Sequence, residues 1–149
     1  MRRLLVAFVT GVALVVVPAA PSSHAMSART FDQRLHQQTN SARTARDVKP
    51  LRFGSCLNRY AQRQANRMAQ QRRMHHQNLS VVLKRCKARA VGENVATGFR
   101  TPKSNIRGWL NSPGHRRTML SRSYTRLGVG VAKDSSGRTY TVQVFGRPR

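Results

Sequence analysis

The acidic residue best placed to do chemistry is Glu93, which is the only glutamate in the chain. It lies within the compact apolar stretch Val91–Ala96. A lone carboxylate is costly to bury unless it accepts hydrogen bonds or pairs with a cation. We therefore expect Glu93 to have polar partners in the folded protein, and we expect its loss to destabilise the domain.

A serine and a histidine stand close enough in sequence to suggest nucleophilic catalysis. Ser112 precedes His115 by three residues. However, the run Ser112, Pro113, Gly114 also has the residue types that a tight turn before a helix requires. We interpret this segment as a turn and assign no catalytic residue.

The first residues have the pattern of an export signal. Arg2 and Arg3 precede the apolar run Leu4–Val17, which is too short to span a bilayer comfortably. Small residues follow, and cleavage after Ala25 would leave a chain that begins at Met26. We predict a signal peptide over residues 1–25 and a secreted, extracellular single domain over residues 26–149. An uncleaved membrane anchor is the alternative.

Cys56 and Cys86 are the only two cysteines, and both lie in the part of the chain predicted to be exported. In an oxidising compartment such a pair is expected to form a disulfide. Bonded cysteines offer no thiolate for catalysis. Neither lies in a C-x-x-C pair, so we expect no metal site built on them.

The chain is strongly basic, with 28 Lys and Arg residues against four Asp and Glu and a net charge of +24. Removal of Arg2 and Arg3 with the signal lowers this charge to +22. Such a surface attracts anionic polymers. Binding to nucleic acid or adhesion to an anionic cell-envelope polymer is one interpretation, and an Arg-rich composition without a dedicated partner is the other. Basic and aromatic residues do not interleave, so we expect no sequence-specific nucleic-acid binding.

Apolar residues at three-to-four spacing predict helices, and two alternating runs near the end predict strands. The predicted helices are Phe31–Ala45 with Thr30 as its cap and Asp32 in its first turn, Ser55–Arg73, Leu79–Lys84, Asn105–Leu110 and His115–Leu120. The runs Leu127–Ala132 and Tyr140–Phe145 predict a hairpin with its turn at residues 134–137. Helices first and strands last indicate an α+β domain in which helices cover a small, largely antiparallel sheet.

Several segments, in chain order, resemble the bacterial branch of the CAP (SCP/PR-1-like) family. They are Leu35–Arg43 with Lys49–Leu51, similar to LN-x-x-R and PL; His76 after the second helix; Gly92–Gly98, similar to GENIA-x-G; Trp109–Arg116, similar to WMNSPGHR; and Leu127–Gly130 with the strand to Phe145, similar to iGvG and tQvFg. The ordered set covers residues 31–146 and is highly specific. The resemblance implies an α-β-α sandwich of CAP type with a cleft, in a secreted protein that we expect to be a monomer.

The resemblance also implies a cleft lined by two histidines and two glutamates. His76, Glu93 and His115 match three of these positions, with His75 as the alternative to His76. The second glutamate has no counterpart, because Glu93 is the only one in the chain. Pairing with Glu93 would keep the two histidines protonated to higher pH, unless a metal competes for the same nitrogens.

Three alternatives are open for this cleft. His76, His115 and Glu93 could form a hydrogen-bonded structural cluster, hold a divalent metal such as zinc with an open position for water, or serve a metal-dependent hydrolase. We interpret the chain as a secreted CAP-type protein whose cleft binds an unidentified lipid or small-molecule ligand, with at most a weakly held metal. We predict no stable membrane span, and whether the protein is an enzyme stays open.

Overall fold

Five helices and four strands follow one another along residues 27–149, the part of the chain that the computed structural model describes. They are α1 (Ala28–Thr44), β1 (Arg52–Phe53), α2 (Ser55–Gln71), α3 (Leu79–Arg85), β2 (Ala88–Thr97), α4 (Pro102–Asn111), α5 (Pro113–Leu120), β3 (Arg126–Lys133) and β4 (Thr139–Pro148). The predicted signal peptide and its cleavage site lie outside the described residues. None of the five helices is long and apolar enough to cross a membrane.

The four strands form one sheet in the order β1-β3-β4-β2. Strand β4 pairs antiparallel with both β3 and β2, whereas β1 runs parallel to β3. The predicted hairpin is therefore confirmed as β3 and β4, and the α+β class with a largely antiparallel sheet is confirmed as well. The sequence patterns did not identify β1 or β2 as strands, although the apolar stretch Val91–Ala96 lies inside β2.

The sheet is covered by helices on both faces, as the CAP resemblance implies. Alternate residues of a strand point to opposite faces. Tyr140, Val142 and Val144 of β4 accordingly pack in a core with α2, while Phe145 packs in a second core with α1 residues such as Leu35. Helices α2 and α3 thus form one layer, and α1, α4 and α5 form the other.

Two glycines allow α2 to lie directly against β3. A Cβ at Gly128 would overlap the main chain of Asn58, and one at Gly130 would overlap the main chain of Ala61. The side chain of Asn58 also accepts a hydrogen bond of 3.0 Å from the main-chain N–H of Val129. Because β1 pairs only with the start of β3, such side chains from α2 satisfy main-chain groups along the rest of the outer edge of β3.

The start of α1 differs from the prediction. The helix begins at Ala28, and its N-cap is Ser27 rather than Thr30. The Ser27 hydroxyl accepts a hydrogen bond of 3.2 Å from the N–H of Thr30, which satisfies one of the free donors of the first turn. Asp32 consequently lies beyond the first turn, so its predicted position in that turn is wrong.

The starts of α4 and α5 were predicted too late in the chain. Helix α4 begins at Pro102, with Thr101 as its N-cap, rather than at Asn105. Helix α5 begins at Pro113 rather than at His115. Both helices open with a proline because the first helical N–H needs no partner and the proline ring already has a helical φ.

The disulfide predicted between Cys56 and Cys86 is confirmed, with an S–S distance of 2.03 Å. It joins the first turn of α2 to the residue that follows α3. The bond therefore fixes the short helix α3 beside the long helix α2. The segment that joins these two helices carries His75 and His76.

Candidate functional site

Glu93 lies in the middle of β2, and its side chain is only 1% exposed. Its Oε1 lies 2.7 Å from Nδ1 of His76 and accepts a 3.2 Å hydrogen bond from the main-chain N–H of Gln77. Its Oε2 accepts a 2.5 Å hydrogen bond from Nε2 of Gln77. Both oxygens of the carboxylate are therefore occupied, which offsets the cost of burying it.

The segment after α2 decides which of the two adjacent histidines reaches Glu93. Helix α2 ends at Gln71, and its C-cap residue Arg72 has a φ of 49°, which turns the chain sharply. The main-chain oxygen of His75 accepts a 2.7 Å hydrogen bond from Gln64 of α2, and the His75 ring lies beside the main chain of Arg73. The structure therefore brings His76, not His75, to the carboxylate.

His115 lies in the first turn of α5, on the other side of β2 from Glu93. Its main-chain oxygen accepts a 3.1 Å hydrogen bond from the side chain of Asn94, the neighbour of Glu93 in β2. Burial lowers the pKa of His115 below its ordinary value, and the nearby charge of His76 lowers it further. The expectation that pairing keeps His115 protonated to higher pH is therefore wrong, because desolvation dominates and no hydrogen bond joins its ring to Glu93 in residues 27–149.

A chain of buried polar side chains, which the sequence did not reveal as a unit, supports this part of β2. Asn94 donates to His115 and also to the side chain of Gln143 at 3.2 Å, and Gln143 donates to the hydroxyl of Thr39 at 2.6 Å. Thr39 in turn donates to the main-chain oxygen of Leu35 at 2.6 Å. Asn94 and Gln143 are fully buried, so these bonds are needed to satisfy them. The sequence did contain one sign of this network: Gln143 is a polar residue at a buried position of a strand, β4.

A family comparison fits this fold and these residues. The model of CAP, the cysteine-rich secretory protein family, matches residues 36–145. This chain belongs to the CAP family. YkwD, an uncharacterized protein of Bacillus subtilis, is 29% identical over 136 residues, which are 87% of this chain and 51% of YkwD. The CAP chain described here therefore spans about half the length of that relative.

Solved structures agree with the CAP fold. An outer surface protein from Borrelia burgdorferi matches with a TM-score of 0.76 at 17% identity, over 85% of this chain and 98% of that chain. An extracellular protein containing a SCP domain from Bacillus anthracis matches with a TM-score of 0.73 at 26% identity, over 89% of this chain and 45% of that one. The predicted α-β-α sandwich of CAP type is thus confirmed.

An apolar groove of about 290 Å³ opens beside His115 in this CAP domain. Met74, Phe99 and Trp109 contribute its apolar lining, and Ser112 and His115 contribute polar groups. Ser112 lies between the end of α4 and the start of α5, as its interpretation as a turn residue requires. Within the described part of the chain its hydroxyl makes no hydrogen bond to His115, so the pair lacks the contact that activates a serine nucleophile.

The residues present do not fit a three-ligand zinc site made of His76, Glu93 and His115. Both oxygens of Glu93 and Nδ1 of His76 are engaged with each other and with Gln77. Only Nε2 of His76 and the ring of His115 are left for a ligand. Among residues 27–149 no three His, Cys, Asp or Glu side chains are grouped so that they could hold a metal ion.

Proposed function

We propose that this chain is an extracellular CAP-domain protein whose cleft binds a small, partly apolar ligand, which His76 and His115 contact. The predicted signal peptide supports export, as do the relatives described as an outer surface protein and an extracellular protein. The ligand class follows from the chemistry of the groove, which His115 lines, and of the His76 ring that Glu93 holds.

The observation that carries this proposal is the position of His115, which lines the apolar groove and lies near enough to His76 for the charge of His76 to lower its pKa. The groove itself offers aromatic and thioether surface. Small-molecule sites are typically apolar clefts with a few fixed polar groups that orient the ligand. His76 is such a group, because Glu93 fixes its Nδ1 and leaves Nε2 free to accept or donate a hydrogen bond.

The geometry favours binding over hydrolysis. A general base must reach the proton that it removes from water or from a nucleophile. Glu93 is almost fully buried and bonded through both oxygens, and Ser112 has no basic partner in residues 27–149. Glu93 and Gln77 are thus arranged to hold the ring of His76 in place rather than to activate a nucleophile.

Trp109 provides a direct test, because it lines the groove and is the only tryptophan in the chain. We would titrate the protein with N-phenyl-1-naphthylamine, an uncharged aromatic probe with one N–H donor that the basic surface does not attract. The expected result is saturable quenching of Trp109 fluorescence with one probe per chain. His115→Ala should weaken binding by about fivefold or more, as expected for loss of one hydrogen bond.

His36→Ala is the matched control, because His36 lies on α1 and lines a different cavity. This variant should bind the probe with unchanged affinity. Absence of quenching in the wild-type protein would contradict the proposed ligand class. Equal weakening by His36→Ala and His115→Ala would show that binding does not occur at the groove.

A further inference from the structure

A second groove in residues 27–149 lies away from Glu93 and is strongly basic. It has a volume of about 690 Å³ and lies between the end of α1, residues 48–52 and residues 122–126. Five basic residues line it, and none of its lining residues is acidic. The basic residues are Arg43, Lys49, Arg52, Arg122 and Arg126. Val48, Leu51 and Tyr124 add apolar surface.

Arg43 places a fixed cation in this groove. The residue is 1% exposed, and its Nε donates a 2.9 Å hydrogen bond to the main-chain oxygen of Lys49. Its Nη1 donates to the main-chain oxygens of Met119 and Ser121 at 2.7 and 3.0 Å. None of these bonds uses Nη2, and none involves a carboxylate. The guanidinium is therefore held rigidly without an acidic partner.

A second guanidinium lies close to the first. Arg122 lines the same groove, and the main-chain oxygen of its neighbour Ser121 accepts a hydrogen bond from Arg43. Burial lowers the pKa of Arg43, and the positive charge of Arg122 lowers it further, as expected for two cations that repel each other. In the described part of the chain the only ion pair is the one between His76 and Glu93. The groove thus concentrates positive charge that no acidic side chain neutralises, and an anion would relieve this repulsion.

We propose that this groove binds a soluble ligand that carries two or more closely spaced phosphate groups. The planar guanidinium donates paired hydrogen bonds that match phosphate oxygens, and four of the five cations are arginines. A groove with five cations is better suited to an anion that carries several charges than to a ligand with a single carboxylate. A volume of 690 Å³ is that of a small-molecule site.

The distribution of apolar side chains favours a soluble ligand over a membrane surface. Val48 and Leu51 are 7% and 2% exposed, so they form a floor and do not project outward. Binding to a bilayer interface requires apolar side chains that can enter it. The exposed large apolar residues of the described chain are Phe53, Met74 and Val81, and none of them lines this groove.

Titration calorimetry with sodium tripolyphosphate at physiological ionic strength tests the site. Arg52→Gln/Arg122→Gln removes two exposed groove cations, and Arg59→Gln/Arg67→Gln removes two exposed cations from α2. Both variants lose the same net charge, so long-range attraction falls equally. We expect one site per wild-type chain, loss of about tenfold or more in affinity for the groove variant, and a change below about threefold for the control.

Equal losses in the two variants would overturn the proposal in favour of unspecific attraction to the basic surface. Absence of tripolyphosphate binding, equal binding of citrate, or binding only to phosphatidylglycerol vesicles would overturn it as well. Thermal unfolding of both variants checks their folding. An independent measurement uses the wild-type chain alone: tripolyphosphate should shift the amide resonances of residues 48–52 and 122–126 before those of α2, and a uniform shift would count against the groove.

Discussion

The Nδ1 atom of His76 lies 2.7 Å from Oε1 of Glu93, yet the two side chains are 59% and 1% exposed. The carboxylate is thus buried behind a ring that remains open to solvent. A ring whose Nδ1 is held by a carboxylate presents Nε2 to whatever approaches it. Glu93 therefore acts through His76, by fixing which nitrogen the ring offers.

Loss of the Glu93 carboxylate is expected to destabilise the domain. Glu93→Ala leaves the donors of His76 and Gln77 without their acceptor, and we expect the free energy of unfolding to fall by about 2 to 4 kcal/mol. Urea denaturation measures this change. Glu93→Gln, which keeps the volume and one acceptor oxygen, should cost less. A loss below about 0.5 kcal/mol for Glu93→Ala would contradict the role of the carboxylate as the centre of a buried network.

Stability should decrease as the pH falls below about 6.5. Burial lowers the pKa of both His36 and His115 from 6.5, so below that pH the unfolded chain binds more protons than the folded one. The raised pKa of Asp32 acts in the opposite sense, but only at more acidic pH. Urea denaturation at pH 7.5 and 5.5 should show this loss in the wild type and a smaller one in His36→Gln/His115→Gln. An equal loss in both proteins would refute the assignment.

Removal of divalent metal should leave the stability of the protein unchanged. Glu93 has no free oxygen, and only two imidazoles remain for an added ion, which is fewer than the three protein ligands of typical catalytic zinc sites. We expect the same melting temperature with and without EDTA, and zinc binding in titrations that is no tighter than micromolar. Tight stoichiometric zinc that disappears in Glu93→Gln would show that the carboxylate is a ligand after all.

The bond between Cys56 and Cys86 should make a large contribution to stability. The two residues are separated by 30 positions, and closing a loop of this length stabilises a fold by about 3 to 4 kcal/mol in the chain-entropy treatment. Cys56→Ser/Cys86→Ser should lower the free energy of unfolding by this amount. Mass spectrometry of the purified protein should show the mass of the oxidised pair and no alkylation without reductant. Two alkylated thiols would contradict the bond.

The contact between α2 and β3 should not tolerate even a methyl group at Gly128. A Cβ there would overlap the main chain of Asn58, and neither element can move without disturbing the sheet. We expect Gly128→Ala to cost about 1 to 3 kcal/mol, the usual range for overpacking, in thermal or urea unfolding. Gly114→Ala is the control, because a Cβ at that position in α5 meets nothing within 4 Å. Equal effects of the two variants would argue against the close approach.

Features that depend on nearby residues or on the identity of a side chain were determined by the sequence. The alternation of Tyr140–Phe145 and the turn before it were enough to predict the hairpin, because strand periodicity is local. Cys56 and Cys86 are the only two cysteines, so a disulfide within the chain could join only these two residues. The ordered motifs likewise placed the chain in the CAP family, which the match over residues 36–145 confirms.

Only the tertiary structure decided how distant segments meet. The resemblance favoured His76 over His75, but the contacts that bring His76 to Glu93 are tertiary, because Gln64 of α2 holds the main chain at His75. The pKa of His115 is lowered because the ring is partly buried, and burial is a property of the folded molecule. The basic groove unites Arg43 with Arg122, nearly eighty positions later, because α1 and the chain after α5 pack against each other.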